Sequence, residues 1–276
     1  MEGGNPAAPY PSPVAGAPIE PDRLRAELIE LGLREATTVL VHCSMREIGW
    51  VQGGATALRD TLLDILNEER GTLAVPTQTT SKSVSSPEFQ RATAGLDDEG
   101  LALYRKVLPG FDPRTSPSEG MGALAESVRT HPRAHRSAHP TTSFAAVGRH
   151  AAMVCAIHPL DCLLGARSPL GVLRDLDARV LMLGVGFDKC TAFHLWEDAV
   201  FDRERSYCCK IGDEWREFKG FPHRDEDFAE LGADFEQAHP AAVRHGRVGA
   251  ASARLFPLAL AAEHAAERLP ELRFAH

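Results

Sequence analysis

In the stretch "TAFHLWEDAV", residues 191–200, two residues with acid–base chemistry stand three apart: His194 and Glu197. On a helix that spacing puts both side chains on one face. Three readings follow: a pair of metal ligands, a general base with its carboxylate, or packed residues of an amphipathic helix. Metal ligation asks for further ligands. The chain has no H-E-x-x-H and no pair of E-x-x-H motifs, so the metal reading is the weakest and no metal is expected. A base suits the spacing better, with an imidazole in the first turn of a helix that begins at Thr191. The positive end of that helix would disfavour imidazolium and keep the ring able to accept a proton. Thr191 falls where an N-cap hydroxyl or a ligand contact is expected. Spacing alone leaves the packed-helix reading open.

Other stretches carry weaker signals. "VLVHCSMREIGWVQGGATAL" runs from an apolar strand into a glycine-bearing loop and then a helix. Gly53 and Gly54 before a helix start leave backbone N–H groups free for a phosphate or carbonyl oxygen, or form a plain tight turn. The stretch lacks both the G-x-G-x-x-G and the G-x-x-x-x-G-K-[ST] pattern, so it is neither a dinucleotide fingerprint nor a P-loop. Ser168 before Pro169 reads as a helix N-cap. His139, ahead of a strand, is more often structural than catalytic.

The elements that must hold these residues alternate. Helical periodicity marks "PDRLRAELIELGL", "GATALRDTLLDILNEER", "MGALAESVRTH", "DEDFAELGADFEQAH" and "SARLFPLALAAEHAAERL". Short apolar runs at "TTVLVHCS", "GTLAVPT", "TSFAAVG" and "ARVLMLGVG" read as buried strands, and "TAFHLWEDAVF" as a helix. "YCCKIG" and "WREFKG" read as a hairpin turning at Gly212 and Asp213. The order predicts an α/β fold with a mixed sheet and helices on both faces. A loop after a strand such as "ARVLMLGVG" is where open α/β sheets place ligands. Residues 1–20 read as an extended or disordered tail, and 21–276 as a single domain. Residues 77–118 form a long polar loop with one helical island, a length more often functional than idle.

Composition narrows the classes. The 276 residues are 43% hydrophobic and 25% charged, with a formal net charge of −8. That balance has no clustered basic face for nucleic acid. No apolar run approaches the roughly 18 to 20 residues that span a bilayer, and the N-terminus has no signal-peptide pattern. Six cysteines without a C-x-x-C pair point to reduced thiols and a cytoplasmic setting.

Taken together, "VLVHCSMREIGWVQGGATAL", "GTLAVPTQT", "FDPRTSPSEGMGALAESVR", "RSAHPTTSFAAVG", "RSPLGVL", "VLMLGVGFDKCTAFHLWE" and "GRVGAASARLF" resemble the aminoglycoside 3-N-acetyltransferase family, in family order over nearly the whole chain after about residue 20. The family is unrelated to the GNAT superfamily. The resemblance implies a three-layer α/β/α fold with a mixed central sheet. It also implies acetyl transfer from acetyl-CoA to an amine of an aminoglycoside-type substrate. The family's essential histidine falls on His194, with Thr191 helping to hold the oxyanion. Ser44, Met45, Gly53, Gly54 and Ser168 fall along the coenzyme's path. A homodimer is left open.

One departure matters. Two acidic family positions fall on Gly220 and Pro222, which leaves Glu197, Asp225 or Glu226 as the histidine's partner. Lys219 and Arg224 also make this wall less acidic than a multiply cationic aminoglycoside requires. A substrate with fewer amines and a carboxylate, such as kasugamycin modified at its 2′-amine, is one expected acceptor and the 3-amine of a deoxystreptamine aminoglycoside the other, either modification conferring resistance. The alternatives are a biosynthetic or housekeeping acyltransferase on another amino sugar and a non-catalytic ligand-binding relative.

Overall fold

A computed structural model describes residues 17–201 and 203–274. Nine strands form: β1 (Thr38–Cys43), β2 (Thr72–Pro76), β3 (His135–Arg136), β4 (Phe144–Gly148), β5 (Arg179–Leu183), β6 (Arg205–Ile211), β7 (Glu214–Gly220), β8 (Arg244–Val248) and β9 (Ala251–Pro257). Ten helices accompany them: α1 (Pro21–Leu31), α2 (Met45–Ile48), α3 (Gly54–Leu66), α4 (Pro87–Thr93), α5 (Asp98–Val107), α6 (Gly122–Arg129), α7 (Ala151–Ala156), α8 (Pro169–Asp175), α9 (Phe228–Ala238) and α10 (Leu258–Phe274).

Seven strands make one mixed sheet in the order β3-β4-β2-β1-β5-β9-β8. The central strand β1 lies parallel to both β2 and β5, and the outer pairings are antiparallel. The alternation of side chains along each strand divides the core in two. Leu40, Ala74, Val180 and Met182 join the cluster under α7 to α10. Val39, Val41, Leu73, Val75, Leu181 and Leu183 join the one under α1, α3 and α6. That division is the expected three-layer α/β/α arrangement. The remaining pair, β6 and β7, is the expected hairpin, with Ile211 opposite Glu214.

Four expectations change. "TAFHLWEDAVF" is not one helix but two short 3₁₀ turns, Thr191–His194 and Glu197–Ala199. Residues Cys190 to Leu195 are all buried, so the segment has no polar face for an amphipathic helix and follows its packing instead. "SARLFPLALAAEHAAERL" begins as β9, where Ala251, Ala253 and Leu255 alternate inward before Pro257 hands over to α10. Residues 77–118 are not one loop, because they contain a 3₁₀ turn, α4 and α5. Arg136 fastens that segment, donating to the Thr77 carbonyl at 2.6 Å and to Ser116 O. Most of the expected tail lies outside the described residues, yet Ile19 is buried and bridges Val51.

Three histidines of the interior, His42, His139 and His158, are held at about 4, 3 and 4, each by burial first. They stay neutral in the fold while the unfolded chain binds protons below its ordinary histidine value. The stability they allow is therefore complete above about pH 6.5 and is lost as pH falls toward 4, at roughly 1.4 kcal/mol per group and pH unit. Urea midpoints measured from pH 7.5 to 4.5 should fall steadily below pH 6.5. A flat profile would refute this.

Candidate active site

A cavity of about 960 Å³ opens beyond the carboxyl ends of β1 and β5, the position at which ligands meet an open α/β sheet. His42 and Cys43 from β1, Ser44 and Met45 just after it, Thr191 and His194 all line it.

Glu197 is fully buried, and its Oε2 lies 2.5 Å from His194 Nδ1. Its other oxygen accepts from Arg273 Nη1 at 2.5 Å and from the Arg224 backbone N–H at 3.0 Å. Arg273 comes from α10 and also holds Asp227 and the Arg224 carbonyl. Burial alone would lower the guanidinium's affinity for its proton, but the Asp227 and Glu197 carboxylates outweigh it and raise the pKa. A carboxylate so anchored is oriented and shared. It fixes the imidazole as the Nδ1–H tautomer, and Nε2 is then the nitrogen with a free lone pair.

Thr191 Oγ1 lies 3.2 Å from His42 Nε2. Burial, with the nearby His194 second, keeps His42 neutral at about 4. An Nε2–H on His42 would donate to the threonine oxygen and leave the threonine proton free to point at a ligand.

His194 therefore owes its orientation to Glu197. The helix-terminus argument loses its basis, because Thr191–His194 is a single four-residue turn without the dipole of a long helix. The i, i+3 relation survives the change of helix type and brings the two side chains together.

Of the other expected site residues, Asp225 lines the cavity but is exposed, and among the described residues it makes no hydrogen bond to His194. Glu226 is exposed too. Ser44 caps α2, accepting from the Glu47 N–H, while also facing the cavity. Ser168 is buried as the cap of α8, and neither it nor Gly53 or Gly54 is among the described residues that line the cavity. Gly53 and Gly54 instead take positive φ at the start of α3, a tight turn. His139 is likewise buried in a network with Thr142 and the Leu160 carbonyl.

The wall formed after β7 explains the two missing acids. A Cβ at Gly220 would sit 2.5 Å from Leu163 Cδ1, so no carboxylate fits there without displacing that leucine. Pro222 is buried. Between them and Asp225 stands His223, which the sequence reading passed over. His42, inside an otherwise apolar strand, was a legible signal; Arg273, 76 residues from its partner, offered none.

Two further chemistries are disfavoured. Burial pushes the Cys43 and Cys190 thiols up to about 12, so neither supplies a thiolate nucleophile near neutral pH. His194, Glu197 and His223 place ligand atoms within 4.8 Å of one another. A divalent cation there would face the Arg273 guanidinium on the same carboxylate, so we take the group as a hydrogen-bonded dyad beside a second imidazole.

The chain is similar to known proteins over most of its length. The family model described as aminoglycoside 3-N-acetyltransferase matches residues 40–270. The chain is 38% identical to the SPbeta prophage-derived aminoglycoside N(3')-acetyltransferase-like protein YokD of Bacillus subtilis (strain 168), over 87% of this chain and 88% of that one. It is 34% identical to aminoglycoside N(3)-acetyltransferase III of Pseudomonas aeruginosa, over 82% and 84%. Among solved structures, YokD superposes with a TM-score of 0.84 at 33% identity, covering 93% of this chain and 95% of that one. Aminoglycoside acetyltransferase AAC(3)-Xa superposes at 0.80 and 32%, covering 92% and 93%. AAC-IIIb, in a binary complex with CoASH, superposes at 0.79 and 26%, covering 94% and 98%. No helix of the described residues is long and apolar enough to cross a membrane.

Proposed function

The chain belongs to the aminoglycoside 3-N-acetyltransferase family and is an N-acetyltransferase, and from that premise we propose that it moves the acetyl group of acetyl-CoA to an amine of an aminoglycoside-type antibiotic, with His194 as base. The observation that carries this is the 2.5 Å contact between His194 Nδ1 and the buried, arginine-anchored Glu197 at the edge of the cavity.

An ammonium has no lone pair, so the substrate must lose a proton before it attacks. That first proton goes to solvent; His194 Nε2 accepts the second as the nitrogen attacks, and Glu197 stabilises the resulting imidazolium. The amine nitrogen bonds to the thioester carbonyl carbon, and the oxygen takes up negative charge. The Thr191 hydroxyl, positioned by His42, donates to that oxygen. The C–S bond then breaks, and the departing thiolate of the coenzyme takes the proton back from His194. Ser44 and Met45 at the end of β1, with Gly120 to Gly122 leading into α6, are the cavity-lining residues that would meet the coenzyme.

The acceptor is a substrate with few amines. Among the described residues that line the cavity, the charged ones are Arg46, Lys189, Asp188 and Asp225, and Asp188 is already paired with Lys189 at 3.0 Å. A polycationic sugar would leave ammonium groups without partners, which is costly in a partly buried site. Kasugamycin, with a carboxylate of its own, fits this balance.

A thiol-release assay with acetyl-CoA and kasugamycin, kanamycin and gentamicin tests the reading. Turnover is expected with kasugamycin foremost, and expression in a sensitive host should raise its inhibitory concentration. Strong kanamycin or gentamicin turnover with none on kasugamycin would overturn the substrate assignment; no turnover on any would overturn the activity.

A further inference from the structure

His223 has no role in the mechanism above, yet it lines the same cavity as the base. Its side chain is only 10% exposed, and its ring stands edge-on to that of His194 with centroids 5.0 Å apart. Among the described residues neither ring nitrogen has a hydrogen-bond partner. The nearest carboxylate, Asp198, is 3.7 Å from Nε2, beyond hydrogen-bond reach.

A buried, unpartnered polar group is costly in a folded chain and marks a place where something else completes the bond. Burial first, then the neighbouring His194, His139 and Arg273, holds the His223 pKa well below the ordinary histidine value. It therefore presents one donor and one acceptor and no charge. The flanking positions cannot supply charge instead, with Gly220 packed against Leu163 and Pro222 buried.

During the reaction His194 becomes cationic, and the Glu197 charge beside it is already shared with Arg273. A second ammonium at His223 would meet that cation, with the half-buried Asp198 beyond hydrogen-bond reach as the nearest carboxylate. A hydroxyl suits the site, because it can donate to or accept from a neutral imidazole whichever nitrogen carries the proton.

We infer that His223 is a specificity-determining residue that hydrogen-bonds a substrate hydroxyl close to the amine His194 deprotonates. This rests on the proposed role of His194. The acceptor class it selects is an amino sugar or aminocyclitol that presents a hydroxyl, rather than a second ammonium, in space near the reacting amine.

The test uses the full chain with acetyl-CoA and whichever of kasugamycin, kanamycin and gentamicin the wild type acetylates. His223→Phe keeps ring packing and removes both nitrogens. His223→Asn restores a donor and an acceptor. The phenylalanine variant should raise the acceptor KM about tenfold, with kcat changed less than about twofold and the acetyl-CoA KM likewise. The asparagine variant should recover the acceptor KM to within about threefold of wild type. An unchanged KM in His223→Phe, a loss confined to kcat, or no recovery in a folded His223→Asn overturns the inference while leaving the His194 assignment standing. Full activity in His194→Gln, or no turnover by the wild type on any acceptor, overturns the underlying function and the inference with it.

Discussion

His194→Ala lowers kcat/KM for acetyl transfer by about 10²- to 10⁴-fold, the loss typical of a missing general base. In the proposed mechanism, removing the imidazole takes away the group that accepts the amine's proton and returns it to the departing thiolate. It also leaves Glu197 without the donor at 2.5 Å, so part of the loss could come from a disturbed site. His194→Gln separates the two effects, because an amide can still donate to Glu197 but cannot act as the base. Both variants should lose turnover, and only the alanine variant should lose thermal stability appreciably. The acetyl-CoA KM should change little, since the step removed lies in the transition state. Near-normal turnover in either variant would sink the assignment.

Arg273→Ala should have the second largest effect, chiefly on stability. Glu197 is fully buried and Arg273 is only 6% exposed on its side chain, so their ion pair lies out of water. Stripping one member from a buried pair leaves an uncompensated charge and costs about 3–5 kcal/mol. Asp227 and the Arg224 carbonyl lose a partner at the same time. Differential scanning calorimetry should show a melting temperature lower by roughly 10 °C, at 2–4 °C per kcal/mol for a chain of this size. The Arg273→Ala/Glu197→Gln double variant is the check on cause. With the buried charge gone it should melt above Arg273→Ala alone, though without activity. A double variant no more stable than the single one would show that packing, not charge, was lost.

Much of the fold was legible in residue order. The runs "VLVHCS", "GTLAVPT" and "ARVLMLG" are apolar without alternation because their strands are covered on both faces, and helices with one apolar stripe supply the covers. Where local pattern and packing disagreed, packing prevailed. "TAFHLWEDAV" spells a helix by propensity, but Phe193 packs against Phe187 and Phe228 with α10 beside it, and the segment settles into 3₁₀ turns. β8, "RHGRV", was missed because an edge strand carries charge rather than an apolar run.

For the site, the sequence by itself determined a histidine with a carboxylate three residues on, as one of three candidate partners. His194 and Glu197 are three apart, a separation that brings their side chains together in any tight helical turn. The sequence also marked β1 and the segment after β5 as the place where they sit. Which acid serves the histidine was decided only by tertiary structure. Asp225 and Glu226, in the loop after Pro222, are exposed, whereas Glu197 is buried and held by a guanidinium from the far end of the chain. Pairing across 76 residues, the packing of Leu163 against Gly220, and the unpartnered imidazole of His223 among the described residues all depend on how distant segments meet. Local spacing carries no information about that meeting, because it is fixed by burial summed over the whole core.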